Sequence, residues 1–474
     1  MAKTLAPDIC VIGAGSGGLS VAAAAAAFGV SVVLIEKARM GGECLNSGCV
    51  PSKALIASAK RAQAMREAEA FGIAPVEPTV DFAKVHDRVH GVIAAIAPND
   101  SVARFTALGV TVIEAEARFV DERTVVAGDH EIRARRFVVA TGSSPFIPPI
   151  PGLAEIEFLT NESVFDLTRL PSRLVVIGGG PIGMEMAQAF GRLGSAVTVV
   201  EAFAALGRED PELAAVALGA IRAEGVDIRE NTAVTRVEKR EDGVRVHVDG
   251  PGGPGVVEAS HVLVAVGRAA NVGDLGLEAA GVAFDRKGVK VDSRLRTANR
   301  RVLAIGDVAG GLQFTHVAGW HAGLAIRSML FRLGAKADAR AIPRATYVDP
   351  EIAQVGLTED EARKRGEPVS VLRWPFIEND RALAEGKTAG MVKIVTGRRG
   401  RLLGVSIVGA GASEMIALYA LALAKRLSVR DLASFVPPYP TMAEAGKRAA
   451  VQAFAPAARN RFVRGLVRFL ARFG

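Results

Sequence analysis

Residues 8–36 read DICVIGAGSGGLSVAAAAAAFGVSVVLIE, and residues 173–201 read RLVVIGGGPIGMEMAQAFGRLGSAVTVVE. In each stretch a short run rich in β-branched residues leads into a glycine turn, a helix and a second strand that ends in glutamate. The first glycine and the glutamate are 23 residues apart both in 13–36 and in 178–201. One GxGxxG motif is a weak signal, but two complete βαβ units with equal spacing predict two dinucleotide-binding domains.

Glycines at this spacing allow a tight turn and let backbone amides approach a pyrophosphate at the start of a helix. The residues expected to contact the first dinucleotide are Gly13, Gly15, Ser16, Gly17, Gly18, Glu36 and Lys37. Those expected to contact the second are Gly178, Gly180, Pro181, Ile182, Gly183 and Glu201. Two such units imply FAD together with NAD(P). Because Glu201 would repel a phosphate on the ribose, the sequence favours NAD(H) over NADP(H).

Three further segments fit this organisation. FVVATGSSP (137–145) and VLVAVGRAA (262–270) read as strands that end in glycine turns and close the two nucleotide domains. RVLAIGDVAG (301–310) reads as a strand ending at Asp307, whose carboxylate suits a hydroxyl of the flavin's ribityl chain. The other cofactor contacts expected from these turns and from the segment after residue 40 are Gly42, Lys53, Thr141, Gly142 and Gly267.

Composition excludes several other classes of protein. The chain has 474 residues, 50% of them hydrophobic and 23% charged, which is a globular composition long enough for several domains. The net charge is +8, but basic and acidic residues are interspersed over most of the chain, so no nucleic-acid partner is expected. Three cysteines supply neither a secreted disulfide framework nor a four-cysteine zinc site, and no metal site is predicted. The N-terminus has no apolar segment of signal-peptide length, which predicts a cytoplasmic protein.

The segment GGECLNSGCVPSKAL (41–55) lies between the first nucleotide unit and the rest of the chain. The spacing of Cys44 and Cys49 can place both sulfurs on one helical face. The start of a helix and the nearby Lys53 would stabilise a thiolate. In the cytosol, a pair of neighbouring cysteines is more often catalytic than structural. By contrast Cys10, in the first strand of the nucleotide fold, is expected to be an inert core thiol.

These motifs resemble those of the flavoprotein disulfide reductases, the family of dihydrolipoamide dehydrogenase, glutathione reductase and mercuric reductase. The resemblance extends from residue 8 to about residue 450 and includes AIGDVAG and YVDPEIAQVGLTE (347–359). It implies a redox-active disulfide, with Cys49 as the thiolate against the flavin and Cys44 as the thiol that meets substrate. It also implies that Lys53 pairs with Glu185 beside the flavin, and that each active site of a homodimer is completed by the other subunit.

The resemblance also predicts an α/β fold with two Rossmann-like domains. The FAD-binding domain would be discontinuous, comprising residues 1–148 and 268–338, and would enclose an NAD(P)-binding domain at 149–267. From residue 342 the pattern changes to alternating strands and long helices without a glycine fingerprint, so an α+β dimerisation domain would follow at 339–456. Residues 457–474, which lie beyond the resemblance, would form a basic amphipathic helix by their own pattern of arginines and apolar residues.

The chain departs from the family pattern near its C-terminus. Disulfide-specific members carry a His-Pro-Thr-x-x-Glu stretch, whereas residues 437–445 read PPYPTMAEA. Thr441 and Glu444 are kept, but Tyr439 stands where the histidine that shuttles protons would be. A phenol with an ordinary pKa near 10 is a poor base at neutral pH, which argues against fast dihydrolipoamide turnover. YPTM and FTHVAGWHAG (314–323) are closer to mercuric reductase, although the 474 residues lack that enzyme's vicinal cysteine pair and metal-binding module.

The sequence therefore predicts a homodimeric FAD enzyme that reduces a disulfide, a metal ion or a small acceptor with NADH, and is mercuric-reductase-like. Dihydrolipoyl dehydrogenase is one alternative. A membrane-tethered flavin electron-transfer subunit is an alternative of another class. The membrane alternative is based on RNRFVRGLVRFLARFG (459–474). On a helical wheel of this segment, four arginines lie on one side and seven apolar side chains on the opposite side. That pattern suits a helix on an anionic bilayer at the inner face of the membrane, and equally a helix docked on the dimer.

Overall fold

The computed structural model describes residues 3–334, 336–366 and 368–473. Met1, Ala2, Ala335, Glu367 and Gly474, which the predicted domain bounds include, lie outside the described residues.

The elements up to residue 145 form the first nucleotide-binding unit and the redox segment. The strands are β1 (Lys3–Leu5), β2 (Ile9–Ile12), β3 (Val32–Glu36), β4 (Thr111–Glu114), β5 (Ala117–Phe119), β6 (Val125–Ala127), β7 (His130–Ile132), β8 (Arg136–Val139) and β9 (Ser143–Pro145). The helices are α1 (Ser16–Ala27), α2 (Gly42–Asn46), α3 (Cys49–Arg66), α4 (Phe82–Ile96) and α5 (Val102–Ala107).

The second unit and the return to the first domain follow. The strands are β10 (Arg173–Ile177), β11 (Ala196–Val200), β12 (Asp227–Arg229), β13 (Ala233–Arg240), β14 (Gly243–Gly250), β15 (Gly253–Ala259), β16 (His261–Val264), β17 (Arg268–Ala270), β18 (Phe284–Asp285), β19 (Gly288–Val289) and β20 (Val302–Ala304). The helices are α6 (Pro181–Leu193), α7 (Pro211–Ala223) and α8 (Thr315–Phe331).

The remaining elements form the C-terminal region. The strands are β21 (Arg344–Thr346), β22 (Glu351–Gly356), β23 (Ser370–Pro375), β24 (Met391–Thr396) and β25 (Leu402–Gly409). The helices are α9 (Glu359–Lys364), α10 (Asp380–Ala384), α11 (Ala412–Ala424), α12 (Val429–Ser434), α13 (Glu444–Val451), α14 (Ala455–Arg459) and α15 (Arg461–Leu470).

Two parallel sheets carry the nucleotide-binding units. The first has the strand order β20-β8-β2-β3-β4 and the second β12-β11-β10-β16, with every pairing in both parallel. Their central strands are continuous apolar runs with both faces buried, as expected when helices cover a parallel sheet. Because β20 joins β2 and β8 after the second unit is complete, the first domain is built from two separate pieces of chain.

The C-terminal region is α+β. Its five strands form an antiparallel sheet of order β21-β22-β25-β24-β23, and α11 and α13 pack against it over a separate core. The observed fold is the predicted mixed α/β fold, with two βαβ units on parallel sheets and an α+β C-terminal region.

Two details differ from the sequence-based prediction. The strand expected to end at Asp307 ends three residues earlier, at Ala304, and Asp307 lies in a single 3-10 turn. The single C-terminal helix expected at 457–474 is two helices, because Asn460 has extended backbone angles (φ −71°, ψ 122°) and caps α15. Within the described ranges, no helix is both long enough and apolar enough to cross a bilayer.

Candidate active site

The two glycine fingerprints have the same geometry. Gly13 and Gly178 have positive φ angles of 103° and 108°, and a Cβ at either would lie 2.5 Å from the carbonyl oxygen of the next parallel strand. In each unit the glutamate at the end of the second strand accepts two backbone hydrogen bonds. Glu36 accepts from the amides of residues 14 and 38 at 2.7 and 2.8 Å, and Glu201 from those of residues 179 and 203 at 2.7 and 2.9 Å.

The middle glycine of each fingerprint fits a ligand. A Cβ at Gly180 would meet no protein atom within 4 Å, and one at Gly15 would meet only Gly42 Cα at 3.9 Å. The protein's own packing therefore does not require glycine at these positions. A side chain there would instead occupy the space in front of α1 and α6, where the helix starts favour a pyrophosphate. Both cradles fit a dinucleotide.

The redox motif is held against the first cradle. Gly42 has φ 59°, and a Cβ on it would lie 2.7 Å from Gly15 Cα. The expectation that Cys44 and Cys49 share one helical face is wrong. Cys44 lies in α2 and Cys49 begins α3, and the chain between the two helices turns at residues 47–48 with non-helical backbone angles. This break, and not the helical repeat, brings the two sulfurs together.

The two thiols are free and strongly polarised. A hydrogen bond from Cys44 lowers the pKa of Cys49 to about 5, with further lowering by the Thr315 hydroxyl and the Lys53 charge. The same hydrogen bond, followed by burial, raises the pKa of Cys44 far above its ordinary value. Thr315 Oγ1 lies 3.4 Å from Cys49 Sγ. Since α3 begins at Cys49 and α8 at Thr315, two positive helix ends also face the Cys49 thiolate.

Lys53 is fixed by a buried carboxylate. Its Nζ donates to Glu185 Oε2 at 2.9 Å and lies 4.2 Å from the centre of the Tyr347 ring. The other carboxylate oxygen of Glu185 accepts the Tyr347 amide at 2.9 Å. The pair expected between the redox helix and the second fingerprint helix is thus present, and the YVDPEIA segment of the C-terminal region holds it in place.

A second polar network joins the redox motif to Asp307 and was not foreseen. Arg268 makes a bidentate pair with Glu43, the residue before Cys44, and donates from Nε to Ser143 Oγ at 2.8 Å. Ser143 Oγ in turn donates to Asp307 Oδ2 at 2.5 Å. Glu43 and Arg268 both lie in glycine-rich motifs of the sequence, but nothing in either motif indicates the partner.

The proton-shuttle position lies apart from the cysteines within one chain. Tyr439 is 72% exposed, and its hydroxyl donates to Asp380 Oδ2 at 3.0 Å. That bond to a carboxylate raises the pKa of Tyr439, so the phenol keeps its proton at neutral pH. Glu444 begins α13 close by. Within the described residues, no hydrogen bond or ion pair joins Tyr439 or Glu444 to Cys44 or Cys49.

The other candidate residues lie at the cradles or beside them. Ser16 begins α1 and Pro181 begins α6, the helix position that best tolerates proline. The Nζ of Lys37 lies 3.3 Å from Glu116 Oε1 on the surface. This ion pair does not by itself place Lys37 in the first cradle. The remaining candidates lie in the fingerprint turns and helix starts or in the turns that end β8 and β16; they are Gly17, Gly18, Thr141, Gly142, Ile182, Gly183 and Gly267. Cys10 is fully buried, and its burial raises its pKa.

The pKa of Cys49 gives a direct prediction. In the dithiol enzyme, thiolate absorbance should persist as the pH falls and disappear with a midpoint of about 5. Thr315→Val removes a hydrogen-bond donor to the thiolate, so the midpoint should rise by roughly one to two pH units. Thr315→Ser, which keeps the hydroxyl, should titrate like the wild type. Equal midpoints for the valine variant and the wild type would show that the hydroxyl does not stabilise the thiolate.

The sequence is similar to those of known flavoprotein oxidoreductases. Residues 7–322 match the family described as pyridine nucleotide-disulphide oxidoreductase, and residues 342–450 match the dimerisation domain of the same name. The chain is 37% identical over 455 residues to a mercuric reductase of Streptomyces lividans, covering 94% of this chain and 95% of the relative. It is 36% identical to a mercuric reductase of Bacillus cereus, with the match covering 94% of this chain and 71% of that relative. It is 35% identical to a dihydrolipoyl dehydrogenase of Geobacillus stearothermophilus, with the match covering 94% of this chain and 95% of that relative.

Solved structures with a similar fold include a flavoprotein disulfide reductase. The Cu(II) complex of the HOCl-induced flavoprotein disulfide reductase RclA from Escherichia coli superimposes with a TM-score of 0.84 at 29% identity, covering 93% of this chain and 98% of RclA. LpdA from Mycobacterium tuberculosis superimposes with a TM-score of 0.86 at 29% identity, with the match covering 95% of this chain and 99% of LpdA. The chain therefore belongs to the pyridine nucleotide-disulphide oxidoreductase family and is an FAD-dependent flavoprotein oxidoreductase of that family.

Proposed function

We propose that the enzyme is a mercuric-reductase-like NADH reductase that passes electrons through FAD and the Cys44–Cys49 pair to a thiol-reactive acceptor: a disulfide, a metal ion or another small acceptor. The polarised dithiol carries this proposal. Cys49 has the low pKa of a thiolate, and Cys44 keeps its proton. A buried structural pair would have no need of two helix starts, a hydroxyl and a lysine around one sulfur.

The proposed division of labour follows from the two cradles. The Gly13 unit would hold FAD and the Gly178 unit the nicotinamide coenzyme. Bound FAD supplies the redox chemistry, accepting a hydride from the coenzyme and returning the electron pair to the disulfide. Glu185 would hold the Lys53 ammonium near Cys49, where the lysine charge lowers the pKa of the Cys49 thiol and the glutamate charge partly opposes that effect.

The exchange step uses the two sulfurs in turn. With a disulfide acceptor, the Cys44 sulfur would attack one acceptor sulfur and form a mixed disulfide, and the proton of Cys44 would leave with the first product, which departs as a thiol. The Cys49 thiolate would then attack Cys44, restore the Cys44–Cys49 disulfide and release the second. With a soft metal ion, Cys44 would release its proton to solvent and both thiolates would bind the ion, which would then take up electrons supplied by the reduced coenzyme through bound FAD. Among the described residues no cluster of three metal-ligating side chains is present, so the ion would be substrate and not a resident cofactor.

Two observations support a soft metal ion among these acceptors. Tyr439, with its raised pKa, is a poor base for the proton shuttle of a dithiol–disulfide exchange, whereas metal binding releases the Cys44 proton to solvent and leaves no product thiol to be protonated. Mercuric reductases are among the relatives, and RclA has been solved as a Cu(II) complex.

Dihydrolipoyl dehydrogenase is the second candidate, since relatives of that name are 35–37% identical over nearly the whole chain. A screen of the NADH-reduced holoenzyme with Hg(II), Cu(II), glutathione disulfide, lipoamide and quinones would decide between the candidates. We expect the fastest turnover with a thiol-reactive ion or disulfide. Reduction of the flavin by NADH without turnover of any of these acceptors would instead favour an electron-transfer subunit.

Coenzyme choice is predicted from Glu201. Because its carboxylate would repel a phosphate on the ribose, NADH should reduce the flavin more efficiently than NADPH by about one to three kcal/mol, or roughly five- to 150-fold. Glu201→Gln removes the charge at nearly constant shape and should lower this ratio. Stopped-flow reduction with both coenzymes measures it.

The matched control is Glu36→Gln, the equivalent change in the first unit. It should weaken FAD retention without altering the preference between the coenzymes. An equal or reversed preference in the wild type would show that Glu201 does not select the coenzyme.

The proposed setting is the cytoplasm, where reduced coenzyme and a dithiol coexist, with the enzyme acting as a homodimer. The match to the dimerisation domain indicates the dimer. We place Tyr439 and Glu444 of the partner subunit opposite Cys44, because one chain does not bring them to its own cysteines. Attachment to an anionic membrane surface through residues 457–474 belongs to the same proposal and depends on this segment alone.

A further inference from the structure

The C-terminal tail, residues 451–474, lies beyond the residues that match the family. The dimerisation-domain match ends at residue 450. Beyond it the chain forms α14 and α15, and Asn460 Oδ1 accepts the amides of Phe462 and Val463 at 2.9 and 3.4 Å. This cap gives α15 a defined start, so the helix is an ordered element with its own boundary.

One side of α15 is apolar and uncovered. No residue of the helix is buried in the chain. The exposed fractions of its large apolar side chains and of the phenylalanine just beyond are Phe462 81%, Leu466 47%, Val467 59%, Phe469 55%, Leu470 55% and Phe473 73%. Scattered single apolar residues are normal on a surface, but a continuous patch of this kind marks a contact surface.

The opposite side of α15 is basic. Arg461, Arg464, Arg468 and Arg472 follow at three- and four-residue intervals and so share one side of the helix. Residues 445–474 contain seven Lys and Arg and no Asp or Glu. Taking these seven from the total of 58 leaves 51 basic against 50 acidic residues in the other 444, so nearly the whole net charge of +8 lies in this segment.

We propose that the tail binds the anionic surface of a phospholipid bilayer reversibly, with α15 parallel to the surface. Its phenylalanine, leucine and valine side chains would enter the boundary between headgroups and acyl chains, and the arginines would lie at the level of the lipid phosphates. Charge complementarity selects this occupant, because no acidic side chain in the segment can neutralise the arginines. The inference rests on the proposed membrane location of the enzyme and is independent of the acceptor.

Co-sedimentation of the full-length holoenzyme with vesicles tests the inference. The enzyme should bind vesicles of phosphatidylcholine mixed with phosphatidylglycerol, should not bind phosphatidylcholine alone, and should be released by high salt. Replacing Arg461, Arg464, Arg468 and Arg472 together by glutamine should weaken binding by roughly several hundredfold, at about 1 kcal/mol for each arginine. The double variant Phe462→Ser and Phe469→Ser keeps the charge and should also weaken binding.

The matched control replaces four exposed arginines elsewhere by glutamine: Arg286, Arg300, Arg365 and Arg430. It lowers the net charge equally and should leave vesicle binding nearly unchanged. Deleting residues 459–474 should abolish binding while FAD content and flavin reduction by NADH stay as in the wild type. A failure of the proposed reductase activity would appear in the acceptor screen and would leave vesicle binding intact.

Three results would overturn the inference. The wild type could fail to bind the anionic vesicles, or the control could lose as much affinity as the tail variant. Alternatively, the deletion could lower thermal stability or dissociate the dimer while the intact enzyme ignores vesicles. That last outcome would mean that α15 packs on a second copy of the chain.

Discussion

Replacing either Cys44 or Cys49 by serine is expected to lower NADH-driven reduction of any acceptor by at least roughly 10³-fold. The two sulfurs act as a unit, because Cys44 must attack the acceptor and Cys49 must then displace it from Cys44. A serine hydroxyl has neither the acidity nor the nucleophilicity for these steps at neutral pH. Steady-state turnover with the best acceptor of the screen measures the effect.

The two variants should differ in the flavin spectrum. If Cys49 is the thiolate against the flavin, as the family resemblance implies, Cys44→Ser leaves it there without a disulfide partner, and long-wavelength charge-transfer absorption should strengthen in the resting enzyme. Cys49→Ser should abolish that band. Cys10→Ser, which changes a fully buried thiol outside the site, is the control and should retain both turnover and spectrum. An unchanged spectrum in both active-site variants would contradict the assignment of the redox pair.

Tyr439→His is expected to raise the oxidation of dihydrolipoamide by NAD. The wild-type phenol donates to Asp380, and its raised pKa keeps it protonated, so it cannot take the proton from a dithiol substrate. An imidazole at the same position titrates near neutral pH and would form the proton-shuttling pair with Glu444 of its own chain, opposite Cys44 of the other subunit. General-base contributions of about 10²–10⁴-fold set the upper scale of the gain.

Tyr439→Phe is the control for this gain of function. It removes the hydroxyl but adds no base, so it should leave the slow dihydrolipoamide rate nearly unchanged. If the wild type already oxidises dihydrolipoamide at a rate typical of efficient enzymes, the tyrosine does not limit the reaction, and the dihydrolipoyl dehydrogenase candidate becomes the better one.

Much of the fold could be predicted from the sequence because its signals are local. The equal spacing in 13–36 and 178–201 encodes two βαβ units, and the change of pattern near residue 342 encodes the third region. The Lys53–Glu185 pair links residues 132 positions apart, and only the family resemblance indicated it. Physical reasoning on either residue alone would not have found it.

The features that could not be predicted depend on backbone conformation or on distant partners. The spacing of Cys44 and Cys49 suits one helix, and the turn that separates α2 from α3 has only the Asn-Ser-Gly at 46–48 as its sequence signal. Glu43 and Arg268 are 225 positions apart, and each charge is compatible with many partners. Likewise, the wheel pattern of the tail gave its two sides correctly, but the break at Asn460 was not predicted.

Counting the electrons that the enzyme takes up tests the central claim most directly. In an anaerobic titration of the holoenzyme, the wild type should consume two electron pairs per FAD, one for the flavin and one for the Cys44–Cys49 disulfide, and Cys49→Ser should consume one. Thiols counted after denaturation should rise from one, Cys10, to all three cysteines of the chain. A wild type that takes up a single pair per FAD, with no new thiols, would contradict the account.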